Sequence, residues 1–86
     1  MKLQNYRVFK ETVGWSNALF IFDKSITFKE ITFNPQTSFL TQRNFVGEFD
    51  FDDKFLNTFY KRKINNKPFY YLYSYEEDDK NEFTEI

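Results

Sequence analysis

Thirteen Phe, six Tyr and one Trp fall within 86 residues, so that 23% of the chain is aromatic. Each such ring removes roughly 150–250 Å² from water when buried. A chain this short makes one domain, and a domain of its size buries only about 60–65% of the surface of the unfolded chain. Twenty rings are more than one small core hides. The surplus implies either a second subunit over an apolar patch or an aromatic surface in use. The first alternative predicts a homodimer.

Other means of stabilisation are missing. Cys and His are both absent, which removes disulfides and the usual zinc ligand sets. Packing of apolar side chains must therefore hold the fold. The N-terminal stretch Met1–Arg7 contains no apolar run of signal-peptide length, and no segment approaches the ~20 apolar residues of a membrane helix. The expected location is the cytoplasm, with no membrane partner.

The net charge of −1 conceals a split. Residues 1–75 carry eleven Lys and Arg against seven acids, a net +4, whereas residues 76–86 carry six acids and one Lys, a net −5. The reading is a single domain over 1–75 followed by an acidic, mobile tail over 76–86, with Phe83 as an apolar anchor.

Lys2 to Val13 reads as a strand ended by Gly14, and Ala18–Phe22 as a strand buried on both faces because its apolar run is unbroken. Asp23-Lys24-Ser25 forms a turn into Ile26–Phe33, read as a further strand with a bulge near Lys29-Glu30 and as the hairpin partner of Ala18–Phe22. Asn34-Pro35 stops it, and the polar stretch 34–44 is a loop. Phe45–Phe51 alternates as a half-buried strand. Asp52-Asp53 then caps a helix over 52–63, with Phe55, Leu56, Phe59 and Tyr60 at helical spacing and Lys61-Arg62-Lys63 in its last turn. Asn65-Asn66 and Pro68 end that helix. Phe69–Tyr75 is the last strand, with Phe69, Tyr71, Tyr73 and Tyr75 on one face and Tyr70, Leu72 and Ser74 on the other. The fold class expected is α+β, a small antiparallel sheet of about five strands in the order β-β-β-β-α-β, covered by one helix.

Four features bear on function, and each has two readings. Lys61, Arg62, Lys63 and Lys67 contact phosphates while neighbouring Tyr rings stack on bases, or they are a helix end charged to suit its dipole. The Tyr row is a stacking platform or interface hot spot, or it is cross-strand packing. Glu48, Asp50, Asp52 and Asp53 hold a hard cation that activates a nuclease-like water, or they are a solvated strand face leading into a cap. The tail solubilises, or it mimics nucleic acid and folds back on Lys61–Lys63.

Conventional catalysis has little to stand on. There is no His base and no Cys nucleophile, no G-x-S-x-G elbow, and two Gly are too few for a phosphate-cradling loop. The expectation is a non-enzyme without cofactor or bound metal.

A short chain rich in Phe, Tyr, Lys, Asn and Ile, and poor in Ala and Gly, resembles the small accessory proteins of AT-rich bacteriophages. That resemblance implies an inhibitor or modulator of a host enzyme or defence toxin, in some cases with RNA in the complex. The leading expectation is therefore a small binding protein of anti-defence type whose partners are a host protein and RNA. Its contact residues are Tyr60, Lys61, Arg62, Lys63, Lys67, Tyr70, Tyr71 and Tyr73. The alternative is a dimeric protein–protein interaction module without nucleic acid, and the third reading is the small metal-dependent nuclease.

Overall fold

Strand β1 (Leu3–Val13) runs into Gly14, whose φ of 60° lies in the left-handed region that a residue without a side chain enters freely. The chain then returns as β2 (Ser16–Asp23), antiparallel to β1, with Val13 opposite Ser16 and Tyr6 opposite Asp23. The computed structural model describes residues 3–14 and 16–75. The acidic segment 76–86, with Phe83, lies outside the described residues.

Three more strands, β3 (Phe45–Asp52), β4 (Tyr60–Ile64) and β5 (Lys67–Tyr75), complete one antiparallel sheet in the order β3-β1-β2-β5-β4. Strand β2 is central, and Leu19, Phe20, Ile21 and Phe22 are all buried, as an apolar run sealed on both faces requires. One face carries Phe9, Phe20, Phe22 and Phe69 and is covered by Ile26, Ile31 and Leu40 from the β2–β3 connection. The opposite face carries Tyr6, Val8, Leu19, Ile21 and Phe51 and is covered by Leu56 and Phe59 from the β3–β4 connection. Each fully buried side chain of this kind contributes about 1.5–3 kcal/mol relative to exposure.

The antiparallel five-stranded sheet is as expected, but the helices are not. Ile26–Phe33 is no strand: it holds the helix α1 (Phe28–Phe33). The cause is a capping box. Glu30 donates its backbone N–H to Thr27 Oγ1 at 3.1 Å, and Thr27 donates its own N–H to Glu30 Oε2 at 2.7 Å. With two orphan donors satisfied, the local structure outweighs the β-branched composition of the segment. The change of apolar parity between Phe28 and Ile31 is a helical spacing of three, not a bulge. Strand β2 accordingly pairs with β1 and β5 and forms no hairpin with 26–33.

The helix expected over 52–63 is a single turn, α2 (Asp53–Leu56), capped by Asp52, whose Oδ1 accepts from the Lys54 N–H at 2.8 Å. The chain turns at Asn57–Thr58 and drops Phe59 into the same cluster as Leu56, so the apolar stripe is satisfied without a longer helix. Beyond it, Asn65 and Asn66 both take positive φ, 51° and 65°. Two such residues in succession make the tight turn whose twist matches a hairpin, and Asn tolerates that conformation better than most. Residues 60–64 therefore pair with β5 as an outer strand. The element order is β-β-α-β-α-β-β, mostly sheet, with a short helix on each face where one covering helix was expected. Among the described residues no helix is long and apolar enough to cross a membrane.

Candidate nucleic-acid interface

Moving Tyr60–Ile64 from a helix to an edge strand changes which side chains share a surface. Tyr60 faces Tyr71 across the ladder, Lys61 faces Tyr70, Arg62 faces Phe69 and Lys63 faces Pro68. Strand alternation then puts Tyr60, Arg62, Phe69, Tyr71 and Tyr73 on the α1 side of the sheet. Lys61, Lys63, Tyr70 and Leu72 point to the α2 side.

On the α1 side the rings form a continuous array. Tyr60 stacks on Tyr71 with centroids 5.4 Å apart and planes 27° from parallel, and Tyr73 meets Tyr71 edge-on at 5.4 Å. Tyr60 is 64% exposed and Tyr73 59% exposed, although each has an apolar body that packing could have hidden. The Arg62 guanidinium lies 5.4 Å from the Tyr71 ring centre, and its Nε donates to the Tyr71 hydroxyl at 3.1 Å. That bond raises the Arg62 pKa above its ordinary value, and a guanidinium is charged at any working pH in any case.

Beside this array lies a groove of about 310 Å³ between Phe20, Tyr71 and Tyr73 on the sheet and Gln36 and Thr37 in the connection above, with Arg62 also lining it. Thr37 is buried and its hydroxyl donates to the Ile31 carbonyl, which anchors this wall to α1. Phe39 packs edge-on against Phe20 at 5.7 Å and extends the aromatic surface.

The eight sequence-predicted contact residues thus divide. Tyr60, Arg62, Tyr71 and Tyr73 come together. Lys61 and Tyr70 pair on the opposite face, with the ammonium 5.8 Å from the ring, and Tyr70 is half-buried, its hydroxyl pKa pushed up by desolvation. Lys63 is exposed on that same side. Lys67 is occupied structurally: its Nζ donates to the Ser25 carbonyl at 3.0 Å and lies 3.5 Å from the Glu30 carboxylate. Gln36, Thr37 and Phe39 were missed. They sit in the stretch read as an ordinary loop, where only the apolar pair Phe39-Leu40 marked a segment that returns to the core.

The acidic series is dispersed. Glu48 lies 3.9 Å from Arg7, Asp52 caps α2, and Asp53 accepts from the Tyr6 hydroxyl at 3.4 Å. Among the described residues no three acidic side chains gather in a group that could hold a metal ion. Compared with protein-family models, curated proteins and solved structures, the chain shows no match.

Proposed function

We propose that this chain is a non-enzymatic binding protein whose working surface is the α1 side of the β4–β5 pair, and that its ligand there is single-stranded RNA. The observation that carries this reading is the exposure of Tyr60 and Tyr73 on either side of Tyr71, with the Arg62 guanidinium in the same row. Exposed rings in series offer π-faces to unpaired bases, and each stacked base adds about 1–3 kcal/mol. Arg62 supplies fixed positive charge for a phosphate. Lys61 and Lys63, exposed on the same outer strand, add longer-range attraction. A host protein is the second partner, as the compositional resemblance implies.

Fluorescence anisotropy of a labelled RNA of about twelve nucleotides at about 50 mM salt tests the reading. Wild type binds, and Tyr60→Ala and Tyr73→Ala each lose affinity by the stacking increment. An RNA that shows no binding under these conditions removes the proposal.

A second reading has its own observation. Val46 and Phe49 are exposed on β3, the opposite edge of the sheet, which favours a protein contact there, a second copy of the chain included. Sedimentation as a monomer of 10.6 kDa at tens of micromolar would remove the homodimer.

A further inference from the structure

We infer that the two free edges of the sheet complement each other: β4 of one molecule pairs antiparallel with β3 of a second copy, and the sheet continues from chain to chain. This rests on the β3 contact named above and is independent of RNA. Strands β3 and β4 are the outer strands of the order β3-β1-β2-β5-β4, and among the described residues each pairs with a single neighbour. An outer strand presents unpaired N–H and C=O groups, which charged side chains ordinarily guard. Here the guards have opposite sign, with Glu48, Asp50 and Asp52 on β3 and Lys61, Arg62 and Lys63 on β4. Glu48, Phe49 and Asp50 are exposed, as are all three cations. Charge therefore guards each edge against its own kind and not against the other.

The faces of the sheet decide the arrangement. All neighbouring strands are antiparallel, so β3 and β4 of one molecule run in the same direction. Setting β4 antiparallel to β3 of a second copy needs a half-turn about an axis lying in the sheet and across the strands. That half-turn exchanges the α1 and α2 sides. Lys61 and Lys63 are on the α2 side. Glu48, Asp50 and Asp52 are on the α1 side, because their partners Arg7, Asn5 and Leu3 alternate with Tyr6 and Val8, which are buried on the α2 side. The exchange brings the lysines and the acids onto one side of the continued sheet. With Lys63 opposite Glu48, antiparallel counting puts Arg62 opposite Phe49 and Lys61 opposite Asp50. Both lysines then meet carboxylates and the guanidinium meets an exposed ring, pairings that stabilise adjacent strands. Glu48 lies 3.9 Å from Arg7 of its own chain, but its side chain is 52% exposed and keeps an oxygen for Lys63. Antiparallel pairing of two β3 edges or two β4 edges keeps the sides instead. It sets acids against acids or lysines against lysines, which opposes it. Because the joined edges differ, every added copy leaves one β3 and one β4 free, and the assembly does not stop at two.

Sedimentation of the full chain without RNA, over a concentration series at about 50 mM salt, tests the pairing. At tens of micromolar the mean mass should rise from the 10.6 kDa monomer past that of a dimer, and it should fall back when salt is raised to about 500 mM. Glu48→Lys with Asp50→Lys, and separately Lys61→Glu with Lys63→Glu, give both edges of a molecule one sign, so each double variant alone should stay monomeric. Mixed one to one, the two variants present opposite edges and should associate again. All four positions are exposed, and circular dichroism checks that each variant folds. Should one fail to fold, the salt series on wild type still decides. Wild type that is monomeric at every concentration overturns the pairing and the β3 contact together. Association that stops at a dimer, withstands high salt, survives the β4 reversal, or is not restored by mixing folded variants overturns the pairing and leaves the β3 contact standing.

Discussion

Asn65, in the turn between β4 and β5, donates its side-chain amide to the Glu30 carboxylate of α1 at 3.2 Å. The same carboxylate takes the Thr27 N–H at 2.7 Å and lies 3.5 Å from Lys67 Nζ. One side chain thus closes the helix cap and fastens α1 to the β4–β5 hairpin. The connection that presents Gln36 follows directly from α1, so Glu30 also helps set the spacing between the two walls of the groove.

Those bonds favour the ionised form. The Thr27 backbone N–H first, and then the Asn65 amide, hold the Glu30 carboxyl at about 2, below its ordinary 4.5. A carboxyl with a lowered folded-state pKa stabilises the fold above its unfolded value, and the contribution is lost as pH falls toward the folded value. The melting temperature should therefore decline as pH drops from about 4.5 toward about 2. In Glu30→Gln that part of the decline should be absent, and the variant should melt lower than wild type at pH 7. Identical acid limbs for the two proteins would count against the cap as drawn.

The hairpin turn makes a second demand. Asn66 has φ of 65°, a region that costs most L-residues roughly 1–2 kcal/mol and Gly nothing. Asn66→Val should lower stability by about that amount, whereas Asn66→Gly should match or slightly exceed wild type. Urea denaturation followed by circular dichroism separates the two. A Val variant as stable as wild type would mean that the turn is not left-handed.

Much of this sheet is legible in the sequence. The unbroken run Ala18–Phe22 identifies a strand sealed on both faces, and 45–51 and 69–75 are strands as read, but the strict alternation expected of Phe45, Phe49 and Phe51 is broken: the register shift opposite Val8 and Phe9 puts Phe45 on the α1 face and Phe51 on the α2 face. The errors have a common origin, which is that short apolar runs do not declare their period. Phe55, Leu56 and Phe59 fit a helix, yet they satisfy the core through one turn and a loop. Asn65-Asn66, read as a helix stop, is the hairpin turn. That one misreading hid the site's logic, because a last helical turn fans Lys61, Arg62 and Lys63 around one helix end whereas a strand sends Arg62 to one face and its neighbours to the other. Thr27-x-x-Glu30 was a visible capping box and would have located α1. Gln36 carried no signal at all, since its place on the groove depends on where the connection lands.

The α2 side offers a direct check on the core. Phe59 is buried beside Leu56 and Phe55, so Phe59→Asp puts a charge among apolar groups and should abolish cooperative melting. Phe33 is 75% exposed, and Phe33→Asp should shift stability by no more than about 0.5 kcal/mol. A cooperative melt near wild type for the Phe59 variant would place that ring outside the core.

The division of the basic triplet predicts two distinguishable losses in RNA binding. Cations act by releasing counterions, so their effect shows in the salt dependence, about 0.7 units of slope per phosphate contact on a single strand. Replacing Lys61, Arg62 and Lys63 together with Ala should flatten the slope by about two units. Because Arg62 alone shares a face with the rings, Arg62→Ala should also lower affinity at high salt, where Lys61→Ala and Lys63→Ala leave it unchanged. Tyr60→Ala should reduce affinity at every salt concentration with the slope intact, since stacking releases no counterions. Anisotropy titrations over a salt series measure slope and intercept together. A triple variant with the wild-type slope, or a Tyr60 variant whose deficit vanishes at high salt, would show that these side chains do not have the separate roles that their placement on the strand gives them.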